Sequence, residues 1–299
     1  MNRLYTLICA SFFLTANGQN LKNGIDYYEI GKYDSAFTVF SQVHAKGTPS
    51  SMLINYLGKT AYHLNDAVKA IGYFREAIAA YPTDPEGYFD LGTLYYYTDV
   101  PDSAMHYFNR TLEIDPSYYD AYNNRGLLYY DLKMYERSKE DFDHLLKAGQ
   151  KKQEVYYNLA KTEHALQNLK QAILHYNKAI KLDSLDYNAY MNRGNVYVDF
   201  EDYRHALSDY NHSCRINPDN PPLYLNRANS YFELDMYSEA LRDYVKLLSF
   251  DPTNGNYMQK IGETKLKLKD KEGCIDLQKA MKFGNDKAEA LYLEKCDTE

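Results

Sequence analysis

Three clusters of residues in this chain have types and spacings that invite chemistry. Gly58-Lys59-Thr60 has the ending of a phosphate-binding loop, in which backbone amides cradle an anion and the lysine reaches it. That loop needs a glycine five positions before Gly58, and Leu53 stands there. His205, Asp209 and His212 fall at i, i+4 and i+7, so on a helix they share one face and offer imidazole and carboxylate to a metal. Asp251, Asn254 and Asn256 supply oxygen ligands of the kind a calcium loop uses, at a place where a turn between helices explains them without an ion. No G-x-S-x-G, H-E-x-x-H or G-x-G-x-x-G sequence occurs. An enzyme needs a deep pocket holding groups of perturbed acidity, and no residue set here builds one. The expectation is a non-catalytic protein with no catalytic residue, no cofactor and no metal.

The elements that carry these residues are helices. In residues 189–220, Tyr190, Arg193, Gly194 and Tyr197 fall at helical spacing, a break follows at Glu201-Asp202, and Ala206, Tyr210 and Ser213 resume the spacing until Pro218. The pattern returns every 34 residues, in eight units starting near 17, 51, 85, 119, 153, 187, 221 and 255. Position 8 of the unit is Gly or Ala throughout, from Gly24 to Gly262. Position 20 is small from Ala36 to Cys274, and position 24 is aromatic from Phe40 to Tyr244. Glycine inside a helix costs up to about 1 kcal/mol against alanine, so its recurrence at position 8 implies a close approach between the two helices of a unit. A repeat of this length reads as a stacked array in which each helix pair buries its apolar face against its neighbours.

The unit resembles the tetratricopeptide repeat. Tyr88, Leu91, Gly92, Tyr95, Ala104, Phe108 and Pro116 match its pattern nearly in full, with Tyr in place of the family's Trp at position 4. The resemblance implies an all-α, right-handed α-solenoid spanning residues 19–299, made of eight helix–turn–helix repeats and closed by a capping helix at 286–297. In that family the stripe at positions 2, 5, 9 and 12 lines a concave groove that holds partner peptides. On this chain it places Tyr62, Phe89, Tyr96, Asn123, Tyr130, Tyr157, Lys161, His164, Asn195, Asn229 and Phe232 in the candidate groove. A purely solvated face should not carry so many aromatics. Packing of position 12 against the next unit is the alternative. The family's clamp for acidic chaperone C-termini needs Lys at positions 5 and 2 and Arg at 6, and no unit has them there.

Three units form a subclass. Asn-Arg occupies positions 6–7 in Asn124-Arg125, Asn192-Arg193 and Asn226-Arg227, and the same three units carry Asp141, Asp209 and Asp243 at position 23. None of the other five has either residue. The coupled switch predicts salt bridges Arg125–Asp141, Arg193–Asp209 and Arg227–Asp243 between the helices of one unit; the alternative is that the arginines bind a ligand anion.

Composition bounds the partners. A net charge of −7 with no run of basic residues disfavours nucleic acid. The chain has 33 Tyr and no Trp, and Tyr suits half-buried seams and contact surfaces alike. Residues 1–18 read as a secretory signal peptide: Arg3, an apolar stretch over 4–16, and small residues at Ala16 and Gly18 before a cut between Gly18 and Gln19. No later segment is apolar enough to span a membrane. Cys274 and Cys296 lie eleven residues either side of Asn285, the turn of an antiparallel helix hairpin, which sets them side by side as a disulfide or as two buried thiols. The expected function is a periplasmic or secreted scaffold that binds a protein or peptide through a Tyr/Asn-lined groove, with a glycan-binding module of the cell envelope as the alternative.

Overall fold

A computed structural model describes residues 16–47 and 49–296. The apolar stretch of the predicted signal peptide and residue 297 of the predicted cap therefore lie outside the described residues, apart from Ala16. The bond between Gly18 and Gln19 falls in the first turn of the first helix. Among the described residues there are seventeen α-helices and no strand. None is long and apolar enough to cross a membrane.

The helices fall into two compact units, residues 1–148 and 149–299. The first contains α1 (Ala16–Glu29), α2 (Tyr33–His44), α3 (Ser51–His63), α4 (Ala67–Ala80), α5 (Pro85–Tyr97), α6 (Pro101–Ile114), α7 (Tyr119–Asp131) and α8 (Tyr135–Lys147). The second contains α9 (Gln153–Ala165), α10 (Leu169–Leu182), α11 (Tyr187–Asp199), α12 (Tyr203–Ile216), α13 (Pro221–Glu233), α14 (Tyr237–Phe250), α15 (Gly255–Lys267), α16 (Gly273–Lys282) and α17 (Asp286–Lys295). Within each unit every helix packs on the one before and the one after it, and odd-numbered helices of successive pairs also touch, as in α3 with α5 and α11 with α13. This is the α-solenoid arrangement, in which a two-helix repeat has no core of its own until its neighbour covers it.

The sequence explains the local form. The first helices of the pairs begin at Ser51, Pro85, Tyr119, Gln153, Tyr187, Pro221 and Gly255, in step with the 34-residue period. Ser50, Asp84, Asp186 and Asn254 cap them by accepting a backbone N–H of the first turn. The turn inside each pair places position 15 in the left-handed region. Gly31 fills it in the first pair, but Asn65, Asp99, Lys133, Gln167, Glu201, Asp235 and Lys269 fill it in the others, with φ between 57° and 62°. Each such residue is strained against glycine, and the packing of the two helices holds it there.

The core lies along the seam of each pair. Phe40, Phe74, Phe108, Phe142, Tyr176, Tyr210 and Tyr244 are all fully buried or nearly so, as are the position-20 residues Ala36, Ala70, Ala104, Ala172, Ala206 and Ala240. At the same position Ser138 hides its hydroxyl by donating to the carbonyl of Gly126 at 2.8 Å. The glycines at position 8 make room chiefly for the position-24 ring: a methyl group on Gly24, Gly58 or Gly194 would come within 2.4, 2.4 and 2.6 Å of Phe40, Phe74 and Tyr210. In the last pair the backbones themselves meet, with a methyl on Gly262 falling 2.8 Å from the carbonyl oxygen of Gly273. There Gln278 replaces the ring and is exposed, its amide donating to the Tyr292 hydroxyl of α17 at 2.7 Å.

Candidate functional site

The Arg-Asp subclass builds a recurring fork. Arg125 donates to Asp141 through Nε and Nη2 at 2.8 and 2.7 Å. Arg193 does the same to Asp209 at 2.8 and 2.6 Å, and Arg227 to Asp243 at 2.7 and 2.7 Å. In each, Nη1 donates to an asparagine of the preceding pair: Asn109, Asn177 and Asn211 respectively. The guanidinium carbons of Arg125, Arg193 and Arg227 lie over the rings of Tyr122, Tyr190 and Tyr224, 5.3, 5.6 and 5.3 Å from their centroids. The carboxylates are buried. Burial pushes Asp141 up even though Arg125 pulls it down. Burial lowers the arginine pKa values, but their carboxylate partners more than reverse this and raise all three. Each cation is paired with a carboxylate of its own repeat and donates to an asparagine of the preceding one, which makes it a structural tie across successive repeats. The asparagines at position 25 were legible beforehand: Asn occurs there in only three units, each just before one that carries the Arg.

The stripe at positions 5, 9 and 12 is held by a second set of ties. Tyr96 donates to Asp131 at 2.6 Å and His164 meets Asp199 at 2.7 Å, each linking position 12 to position 13 of the next pair. Tyr28 and His63 repeat the relation at 3.2 Å. Phe89 stacks into the seam, its ring 4.9 Å from Tyr118 and 6.2 Å from Phe108. Tyr130 packs on Tyr135, and Tyr62 on His63. Asn123 is half-buried, with its amide 3.5 Å from Asn124. Tyr157 accepts from Asn192 at 2.8 Å and has Lys161 over its ring at 6.0 Å. Position 12 thus serves the seam and the surface together: each of its candidate side chains is half-buried.

In the second unit the stripe opens into a cleft of about 590 Å³ between α11, α13 and α15. Asn195 accepts from Tyr210 at 2.8 Å and from Asn226 at 2.9 Å, and Asn229 accepts from Tyr244 at 2.7 Å. The buried tyrosine hydroxyls use the carboxamide oxygens and so fix the side chains of these two asparagines in the cleft wall. Burial keeps both hydroxyls protonated, far above the ordinary tyrosine value. Phe232 forms an apolar wall, with Lys260 over its ring at 5.4 Å, and Asp199 and Glu233 line the rim. The arrangement offers amide donors and acceptors beside aromatic surface, which is what an extended polypeptide backbone needs.

In the first unit a smaller cleft of about 350 Å³ is lined by Met52, Asn55, Tyr56, Lys59, Asp84 and Glu86. Lys59 contacts Glu86 at 2.6 Å and Asp90 at 3.2 Å, and Tyr118 donates to the other oxygen of Glu86 at 2.7 Å. Burial raises Glu86, but Lys59 and Tyr118 outweigh it, so its carboxyl sits below the usual range. Asp90 goes the other way. Burial, with Glu86 adding like charge, pushes it up to about 7 despite Lys59. Nothing in the residue spacing pointed to this cluster, because its members come from α3, α5 and the loop before α7 and meet only in the stack.

Sequence profiles of the tetratricopeptide repeat match residues 21–85, 119–148, 160–199, 194–235 and 221–254. The chain belongs to the tetratricopeptide repeat family. Among solved structures, a tetratricopeptide repeat protein from Parabacteroides merdae aligns with a TM-score of 0.59 at 19% identity, covering 83% of this chain and 98% of its own. PilF of Pseudomonas aeruginosa aligns with a TM-score of 0.60 at 17% identity over 73% of this chain and 97% of its own. YrrB, described as a TPR protein with an unusual peptide-binding site, aligns with a TM-score of 0.53 at 23% identity over 60% of this chain and 92% of its own. These likenesses show the TPR fold. No curated protein sequence is significantly similar to the chain.

The TPR stack ends in a covalent clasp. Cys274 at the start of α16 and Cys296 just after α17 form a disulfide, with Cα atoms 5.9 Å apart. Cys214 is a free, half-buried thiol, raised by burial, beside Tyr224 and Arg227. The sequence-level metal candidates have other occupations: Asp209 lies in the fork of Arg193, His212 stacks on Tyr190 at 5.2 Å, and His205 meets Asp202 at 2.6 Å. Among the described residues no three His, Cys, Asp or Glu side chains gather around a common point. Asp251 closes a turn on Thr253 and Asn254, and Asn254 caps α15. Lys59, from the phosphate-loop look-alike, lies within α3 and is engaged with Glu86 and Asp90.

Proposed function

We propose that the protein is a non-catalytic scaffold that binds a protein or peptide outside the cytoplasm through the inner stripe of its first helices. The TPR fold supports an interaction scaffold. The observation that carries the finer reading is the cleft of the second unit, where Asn195, Asn226 and Asn229 stand beside Phe232. Asparagine amides pair with a peptide backbone whatever its sequence, and the aromatic wall holds side chains. YrrB, of similar fold, is a TPR protein with a peptide-binding site. Export is supported by the Arg3-led apolar N-terminus and by the Cys274–Cys296 disulfide, which persists in oxidising compartments.

The test is capture from a cell-envelope extract on the immobilised protein, followed by mass spectrometry, beside the double variant Asn229→Ala/Phe232→Ala. Polypeptides retained by the wild type and lost by the variant, at equal helicity by circular dichroism, support the reading. Retention of saccharide beads with no polypeptide would favour a glycan-binding module instead. Capture that the variant leaves unchanged would move the contact surface elsewhere.

A further inference from the structure

The cleft of the first unit has a composition of its own. Asn55 is 2% exposed, lines the cleft, and leaves its carboxamide oxygen without a hydrogen-bond partner. Its NH₂ group donates to Ser51 at 3.4 Å, so the amide is oriented and the unused atom is an acceptor. A buried acceptor left unmade costs about 1–3 kcal/mol, so a donor entering the cleft recovers that cost. Around it the fixed charges are one cation, Lys59, against the carboxylates of Asp84 and Glu86, with the buried Asp90 carboxyl behind them. Lys59 is already neutralised by Glu86 at 2.6 Å. The surplus in the cleft is therefore negative. The lining also has apolar surface: the exposed side chain of Met52 and the ring of Tyr56, which lies 5.8 Å from the Lys59 ammonium.

We infer that this cleft takes a basic side chain of the partner polypeptide, its aliphatic stem against Met52 and Tyr56 and its N–H groups divided between Asn55 Oδ1 and the Asp84–Glu86 rim. The inference deepens the peptide-binding reading above and rests on it. An acidic side chain would bring a third carboxylate beside Asp84 and Glu86 and offer Asn55 no donor. A neutral one would satisfy Asn55 and leave the surplus charge unpaired. The cleft thereby sets a charge preference that the asparagine-lined cleft of the second unit does not have.

Methyl NMR of the protein labelled at methionine tests this, because Met52 lines the first cleft and Met191 lies on the stripe of α11 in the second unit. The probes are acetylated, amidated pentapeptides Gly-Gly-Lys-Gly-Gly and Gly-Gly-Glu-Gly-Gly. The lysine peptide should shift Met52 at a concentration about tenfold below that of the glutamate peptide, and Glu86→Gln should erase the difference. Equal responses of Met52 to both peptides overturn the charge preference. A silent Met52 with a responding Met191 overturns this cleft and leaves the groove reading standing. Silence at both methionines overturns the two together. Glu86→Gln keeps an oxygen for the Tyr118 hydroxyl, and its fold is checked by an unchanged signal of Met105, which packs in the core of the same unit.

Discussion

The ring of Phe74 lies across Gly58 so closely that a methyl group on the glycine would stand 2.4 Å from its Cε1 atom. The same relation joins Gly24 to Phe40 and Gly194 to Tyr210. It turns two columns of the repeat into one mechanical unit: the ring supplies the buried area, and the absent side chain lets it lie flat. Gly58→Ala should lower stability by about 1–3 kcal/mol, the usual effect of overpacking. Ala228→Gly faces Tyr244 from a position already adapted to a methyl group, and should cost no more than about 1 kcal/mol. Urea melts of the two variants decide this, and equal losses would show that the ring does not set the glycine.

The arginine forks predict a strong asymmetry between single and double changes. Arg193→Met strands the buried Asp209 carboxylate and leaves Asn177 without its donor, and should cost about 3–5 kcal/mol. Arg193→Met/Asp209→Leu removes both charges and should recover most of that loss. A double variant as unstable as the single one would mean that the pair itself holds the repeats together.

Asp90 makes stability depend on pH in a sense opposite to most acidic residues. Its folded-state value of about 7 stands above the ordinary 3.8, so between those values the folded chain keeps a proton that the unfolded chain has released. Its contribution is therefore favourable at low pH and is lost as pH rises toward 7. Going from pH 8 to pH 6 should stabilise the wild type by about 1 kcal/mol relative to Asp90→Asn. Parallel melting curves across that interval would contradict the assignment.

The Cys274–Cys296 bond closes a segment 22 residues apart around the last turn. Loop entropy of that size corresponds to about 3 kcal/mol, concentrated in α16 and α17 because a stacked array opens from its ends. Cys274→Ser/Cys296→Ser should speed amide hydrogen exchange in 273–295 and leave α9 and α10 unchanged. Uniform acceleration through the second unit would show instead that the clasp supports more than the cap.

Much of this protein was written in one dimension. The 34-residue period, the small residues at positions 8 and 20, the rings at position 24 and the coupled Arg and Asp follow from which residues recur together. A helix pair repeats its own geometry, so residues 16 apart, such as Arg193 and Asp209, meet in every copy. Sequence periodicity records local contacts of that kind faithfully. It also contained the Asn177 contact to Arg193, since that partner too lies 16 residues away, in the preceding pair. What the tertiary structure alone decided was how each surface side chain divides its interactions. Tyr96 looked like free groove lining and is tied to Asp131. Lys59 of one repeat meets Glu86, Asp90 and Tyr118 of the next in a single cluster, beside which the carboxamide oxygen of the buried Asn55 has no partner. These contacts depend on the pitch between particular neighbouring pairs and on residues that do not recur. A burial or an unmet hydrogen bond is a property of the packed stack, and no single repeat encodes it.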